Sequence, residues 1–372
     1  MRFDLVLVGF GNVGRRFVRL LDESRVELLR DHGLETRVVA ITTRAHGHAF
    51  NARGLNALEL ADAVDAGGRV GPGTRTALPF LREVLARCLT TARAGRLVAV
   101  ETTTLSIGNG QPAIDHVRTA LAAGAHVVTA NKGPAAFAFR ALTDAARRSD
   151  RRFLFESAVM DGVPVFNLRR ATLPALTIRG FKGVVNSTTN HILTAMENGQ
   201  RFDDALAAMQ KAGIAEADAS LDVDGWDAAA KAAALANVLL GGNLTPHSVD
   251  REGIADVTNE QLATARASGR RLKLVAAGSG AGNTAHASVR VVELAGSDLL
   301  AQLEGQENAL VLHTDRLGDI VVVQRGSGLT LTAYGLVSDL VSIARDWTPT
   351  RATRRGPPTA RRGRTRSARG RR

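Results

Sequence analysis

The sequence predicts an α/β protein in two units, a doubly wound parallel sheet followed by an α+β unit with a mixed sheet. Three observations predict it. Apolar strand-like runs alternate with helical runs over the first 157 residues, and a glycine triad separates the first strand from the first helix. Further on, strand-like segments at 271–277, 284–294, 309–314 and 319–324 follow a group of helices, and an apolar helix over 332–345 comes last. The expected divisions are 1–150, 151–325, a loop and helix at 326–346, and a tail at 347–372.

With 372 residues and 45% hydrophobic content, the chain is long enough to bury a sizeable core. Its one cysteine, Cys88, excludes an internal disulfide and suits a reducing compartment. No apolar run reaches the length of a membrane span, and the opening MRFDLVLVGFG turns glycine-rich too soon for a signal peptide. A cytoplasmic protein with no membrane partner is expected. The net charge of +12 suggests nucleic acid until it is located: ten arginines and no acid lie in 351–372, and without them the body carries about +2. That tail lacks large apolar residues and is expected to be disordered. A nucleic-acid partner is therefore not favoured, although the tail offers phosphate-neutralising charge.

In the first half, a strand over 3–8 runs into Gly9, Gly11 and Gly14, with Phe10, Asn12 and Val13 between them, and then into a helix. This G-x-G-x-x-G stands in the strand–turn–helix context of a Rossmann dinucleotide site. Gly9 permits the tight turn, Gly11 lets a pyrophosphate approach the backbone, and Gly14 lets the helix pack on the strand. The helix N-terminus adds free N–H groups and partial positive charge. A second strand, 37–42, ends without the acid that an NAD-selective site places on the ribose; Arg44 is there instead, which favours NADP and leaves NAD open. Residues 50–95 read as helical and irregular. Strands at 96–103, 125–130 and 152–157 alternate with helices near 111–123 and 134–149. The residues after those strands, Thr102 and Thr103, then Asn131 and Lys132, fall on the carboxyl edge where such sheets bind ligands.

In the second half, a glycine- and proline-punctuated loop follows 157, a strand-like LTIRGFKGVV comes next, and a helix opens with Ser187, Thr188 and Thr189. Those residues either cap the helix or bind a substrate carboxylate. The segment EADASLDVDGWDAAAK then gathers Glu216, Asp218, Asp222, Asp224 and Asp227 before Lys231. Asp227 and Lys231 are i and i+4 on an Ala-rich helix expected to be buried. An exposed pair of this kind contributes only a few tenths of a kcal/mol, which explains none of the other acids. Carboxylates gathered beside a buried ammonium suit a substrate with an amino group and a hydroxyl.

Together GFGNVG, VVTANKGP, FESAVMDGVP, GVVNSTTNHIL, AEADASLDVDGWDAAAK and the late GSG loop resemble the homoserine dehydrogenases along nearly the whole chain. The resemblance implies reversible NAD(P)H-dependent reduction of L-aspartate 4-semialdehyde to L-homoserine. It implies Lys231 as proton donor and Lys132 as a second lysine near the nicotinamide. It also implies Glu216 and Asp227 on the substrate amino and hydroxyl groups, with Asp222 in support. A monovalent cation such as Na+ would sit at Glu156 and the carbonyls of Val159, Asp161 and Val163. The final helix would return to the cofactor unit with Gly326 and Gly328 near the nicotinamide, and the chain would dimerise through its second sheet. The sequence departs from the family at Met160–Asp161–Gly162, Ser187 and Ile214. It ends in arginine repeats where some relatives carry a regulatory domain, so threonine feedback is not expected. The remaining readings are a dehydrogenase of another amino or oxo acid, and a nucleotide-binding regulator using its tail on nucleic acid.

Overall fold

A computed structural model describes residues 1–73, 77–91, 95–211, 219–326 and 328–346. The tail at 347–372, with its expected disorder, lies outside the described residues, as do Glu216, Asp218 and Ile214.

The chain opens with β1 (Arg2–Val8), α1 (Asn12–Glu23), α2 (Arg25–His32), β2 (Glu35–Thr43), β3 (Gly47–Phe50), α3 (Ala57–Asp65) and α4 (Ala77–Thr91). It continues through β4 (Leu97–Glu101), α5 (Ala113–Ala122), β5 (His126–Thr129), α6 (Lys132–Arg148) and β6 (Phe153–Leu154). These six strands form one sheet in the order β3-β2-β1-β4-β5-β6. All pairings are parallel except β2 with β3. The antiparallel edge strand was not anticipated, because GHAF is short and begins with glycine.

Strand side chains alternate between two cores. Val6, Val8 and Ala99 point into one with α4, α5 and α6, while Leu5, Leu7, Val98 and Val100 point into another with Phe17 and Leu21 of α1. Burial on both faces is what a doubly wound sheet requires, and it explains the unbroken apolar run of β1.

The chain then forms α7 (Ser157–Met160), α8 (Phe166–Thr172), β7 (Ile178–Val184), α9 (Ser187–Glu197), α10 (Phe202–Lys211), α11 (Ser220–Val223) and α12 (Trp226–Leu239). After these come β8 (Asp250–Arg251), α13 (Asn259–Ala267), β9 (Arg270–Ser279), β10 (His286–Ala295), β11 (Asn308–Thr314), β12 (Asp319–Gln324) and α14 (Leu329–Asp346). The second sheet has the order β12-β11-β7-β9-β10-β8, antiparallel apart from β10 with β8. Its face bearing Phe181, Leu274, Leu310 and Leu312 packs with α9 and α12; Val184, Val275 and Val311 on the other face meet Leu300 and Leu303.

The last helix returns to the first sheet. Ala333, Leu336, Val337 and Leu340 of α14 belong to the same core as Phe3, Leu5 and Phe17. Two glycines allow the close crossing: a Cβ on Gly335 would stand 2.9 Å from the Asp161 carbonyl oxygen, and one on Gly162 would stand 2.5 Å from that of Leu331. This lodges the start of α14 against the loop after α7.

Candidate active site

A cleft of about 550 Å³ opens between the carboxyl edge of the first sheet and the start of α12. Gly11, Asn12 and Val13 form one wall, with Thr102, Thr103 and Asn131 beside them. Lys132, Asp222, Asp227 and Lys231 form the opposite wall, and Leu329 and Thr332 of α14 close one end.

Each glycine of the triad has its own geometry. Gly9 has φ +98°, and a Cβ there would lie 2.7 Å from the Thr102 carbonyl carbon. A Cβ on Gly14 would lie 3.1 Å from the Gly9 carbonyl oxygen, so α1 could not sit as close with a larger residue. A Cβ on Gly11 would meet nothing within 4 Å, which leaves its backbone open to the cleft. Thr102 fastens this turn to β4 by donating its N–H to the Val8 carbonyl at 2.8 Å and its hydroxyl to the Gly9 carbonyl at 3.1 Å. The open backbone at Gly11 and the free start of α1 fit a dinucleotide pyrophosphate. Phe10 is a core residue, and only its carbonyl is engaged nearby, accepting from Arg15.

Two side chains shape the neighbouring loops. Asn131 caps α6, accepting the Gly133 N–H at 2.8 Å, while its amide donates to the Thr103 and Thr104 carbonyls. The buried Glu101 accepts the Thr103 N–H at 3.0 Å, the Thr103 hydroxyl, and the Thr129 hydroxyl at 2.8 Å. An acid closing an apolar strand, in RLVAVETT, was the available signal for this residue.

Asp227 stands at the centre of the cleft's charged wall. Its carboxylate is 2.9 Å from the Lys132 ammonium and 3.1 Å from the Lys231 ammonium. The packing of α12 on α6 brings the two lysines together from distant parts of the chain. Side-chain exposures of 22% for Lys132, 13% for Lys231 and 15% for Asp227 put the trio at the cleft wall, not in bulk water. Lys231 also donates to the Val185 carbonyl at 2.6 Å. Burial raises the Asp227 carboxyl, but Lys132 and Lys231 outweigh it and hold the group well below the usual carboxylate range. At Lys132 burial opposes the charge, yet Asp227, with Asp222 and Asp161, leaves the ammonium above its ordinary value. Lys132 also occupies the first turn of α6, where the helix dipole disfavours a cation. Asp222 is pushed up by burial and then by the charge of Asp227.

Asn186 is the missed residue here. Its amide nitrogen donates to Asp222 Oδ1 at 2.7 Å and Asp227 Oδ2 at 2.9 Å, and its Oδ1 accepts the Thr189 N–H at 2.8 Å. It therefore caps α9, the duty expected of Ser187, Thr188 or Thr189. The Ser187 hydroxyl instead accepts from Asn308 Nδ2 at 2.7 Å, and Thr188 is buried; neither belongs to the cleft wall. The Asn in VVNSTT directly before the helix was the available signal.

Arg44 is exposed in the turn after β2, where the Thr43 hydroxyl accepts the Ala45 and His46 N–H groups. Gly328 has φ +127° and precedes Leu329 at the cleft end. Of the residues expected to hold a cation, Val159 and Asp161 line the cleft, Val163 is half-buried and Glu156 is buried. The Glu156 carboxylate already accepts the N–H groups of Val165, Phe166 and Asn167 at 2.6, 2.9 and 2.5 Å. Burial nevertheless leaves it above its ordinary value. Asp161 accepts from Thr332 and Gln324, at 2.8 and 2.9 Å. The Glu156 carboxylate is thus satisfied by the protein's own donors, whereas the expectation at Asp161 concerns its carbonyl, which these side-chain bonds do not engage.

A glycine-loop dinucleotide site facing two lysines and two half-buried carboxylates defines an NAD(P)-dependent oxidoreductase of the two-sheet α/β type. The chain belongs to the homoserine dehydrogenase family. Residues 9–156 match the sequence model of its NAD binding domain, and 164–341 match the model of homoserine dehydrogenase itself. The NAD(+)-dependent homoserine dehydrogenase of Pseudomonas canavaninivorans is 34% identical over 92% of this chain and 96% of its own length. The homoserine dehydrogenase of Methanocaldococcus jannaschii is 33% identical over 91% of this chain and 98% of its own. A hyperthermophilic archaeal homoserine dehydrogenase solved in complex with NADPH superposes with a TM-score of 0.76 at 28% identity, covering 94% of this chain and 99% of that one. The activity is that of a homoserine dehydrogenase, an NAD(P)-dependent enzyme of amino-acid biosynthesis.

Proposed function

We propose that Lys231 is the acid–base residue of this reaction, interconverting L-aspartate 4-semialdehyde and L-homoserine, with Lys132 beside it and Asp227 aligning both. The observation that carries this reading is the Asp227 carboxylate held between two ammonium groups in the cleft that opens at Gly11. The bound nicotinamide supplies or accepts the hydride. Reduction puts negative charge on the aldehyde oxygen. Lys231 stabilises that charge and donates a proton to it, and in the reverse direction takes the proton from the hydroxyl. Lys132 adds a second positive charge to the same wall, which favours an oxyanion there. Asp222 and Asp227 face the substrate amino group, and Asn186 keeps the two carboxylates at a fixed separation. Glu216 joins them in this reading on the strength of the sequence alone.

NADP is the favoured cofactor in this proposal, because β2 ends in Thr43 and Arg44 without an acid for the ribose. Gly328, at the end of the cleft formed by α14, is assigned to the nicotinamide side. The protein is read as a cytoplasmic homodimer joined through the second sheet. Support for the dimer comes from edge strand β12, where Val321 and Val323 are 43% and 40% exposed. Among the described residues no helix is long and apolar enough to cross a membrane.

Initial rates of homoserine oxidation with NAD and NADP, for the native chain and Lys231→Ala, test the assignment. Turnover in the variant within tenfold of native removes Lys231 from the acid–base role. A higher kcat/KM with NAD overturns the cofactor preference.

A further inference from the structure

A second concavity, of about 490 Å³, lies at the far end of α6 and α14 from the cleft. The two helices contribute Lys132, Leu329 and Thr332 to the cleft with their first turns. They contribute Arg147, Arg345 and Asp346 to this pocket with their last. Arg151 and Arg152, from the turn before β6, and Arg170, from α8, complete its charged wall over an apolar floor of Phe153 and Leu154.

The charge does not balance. Asp346 is shared between Arg152 at 3.1 Å and Arg170 at 3.3 Å, and Asp144 lies 3.5 Å from Arg147. Five guanidinium groups therefore face two carboxylates; the exposed Asp150 is not part of the wall. Arginines at helix ends often do no more than offset the backbone dipole, and three helices, α6, α8 and α14, do end here. Each such end carries about half a negative charge. Three of them leave a surplus of roughly one to two positive charges inside a concave wall, where the low dielectric strengthens the potential.

Much of the wall is also fixed in advance. Arg151 donates to the Gly124 and Asp150 carbonyls at 2.5 and 2.7 Å. Arg170 donates to Asn167 Oδ1 at 2.6 Å, and Asn167 in turn donates to the buried Asp339 at 3.1 Å. Arg152 is held by its Nε on Asp346, which leaves both of its terminal nitrogens for a ligand, and Arg151 and Arg147 each keep one terminal nitrogen beyond their own contacts; guanidinium groups placed so around a cavity of this size suit a tetrahedral anion. A concavity suits a small molecule better than a nucleic-acid backbone, which calls for an extended basic stripe.

We propose that this arginine pocket is a binding site for a small molecule carrying two or more linked phosphates, separate from the cofactor cleft. Its ligand makes bidentate contacts with guanidinium groups from both sides of the pocket.

Titration calorimetry of the full chain with inorganic pyrophosphate tests this, with the cleft kept saturated by the nicotinamide cofactor so that Gly11 and the start of α1 do not compete. Saturable binding that weakens with added salt is expected. The double variant Arg147→Ala/Arg345→Ala, both exposed positions, is expected to weaken it at least tenfold. So is Arg152→Gln/Arg170→Gln on the other side. Absence of saturable binding overturns the proposal, as does affinity unchanged in both double variants, which would assign the anion to the arginine tail.

Discussion

The Lys132 ammonium and the Asp227 carboxylate stand 2.9 Å apart, one at the first turn of α6 on the first sheet and the other at the first turn of α12 in the second half of the chain. Neither half holds the charged wall alone. Lys132→Met is therefore expected to leave Asp227 with Lys231 as its sole cationic partner within this trio. The loss reads as a raised Asp227 pKa, from well below toward the usual carboxylate range. Carbon-13 NMR titration of the Asp227 carboxyl from pH 2 to 6 checks it, and an unmoved titration counts against the Lys132–Asp227 pairing.

Lys231→Ala removes the group assigned to proton transfer while leaving the glycine loop intact. A fall in kcat of roughly 10²–10⁴-fold is expected, with cofactor affinity within about threefold of native. Stopped-flow turnover and fluorescence titration of the reduced cofactor give the two numbers separately.

Asn186 offers a finer test. Asn186→Ala loses the cap of α9, worth about 1 kcal/mol, and releases both carboxylates. Asn186→Asp keeps a capping oxygen but replaces the amide donor with a third negative charge. The Asp variant is expected to lose at least tenfold in kcat/KM for homoserine while unfolding closer to native than the Ala variant. An Asp variant near native in both stability and activity, beside an impaired Ala variant, would reduce Asn186 to a capping residue.

The glycine loop separates folding from binding. Gly9→Ala forces a Cβ against the Thr102 backbone at φ +98° and is expected to destabilise the chain by more than about 2 kcal/mol. Gly11→Ala meets nothing within 4 Å, so its stability stays near native while cofactor affinity falls at least tenfold. Thermal unfolding with and without cofactor distinguishes them.

Lys273, fully buried on β9, donates to Asn190 Oδ1 at 2.9 Å and the Leu303 carbonyl at 2.5 Å. Burial, helped by the charge of Arg271, lowers it to about 8. An unfolded lysine holds its proton to about 10.4. Between these values the unfolded chain binds more protons, so this residue's contribution to stability grows as pH rises. The stability difference between native protein and Lys273→Met is expected to widen in favour of native from pH 8 to 10, read from urea midpoints.

Local patterns made the fold class legible: the apolar runs of β1 and β4, the glycine turn, and the i, i+4 placement of Asp227 and Lys231 on an alanine-rich helix. Less legible was anything set by tertiary neighbours. GHAF pairs with β2 only because a strand edge is there to receive it, and α13 is nine residues with little amphipathic pattern. Asn186 looked like one polar residue among several at a helix start. Its two hydrogen bonds to acids depend on α9 and α12 meeting in space. Glu101 is a similar case, since its partners Thr103 and Thr129 come from two different strand ends.

The core beneath α1 is assembled from residues 3–154 together with residues 333–343 of α14. During synthesis, the nucleotide-binding half thus emerges from the ribosome missing one helix of a layer, with the flank of α1 that α14 covers still wet. It cannot finish folding vectorially, ahead of the rest. Its completion waits for the synthesis of α14, and a nascent chain stalled before residue 329 carries an apolar surface that invites chaperone capture.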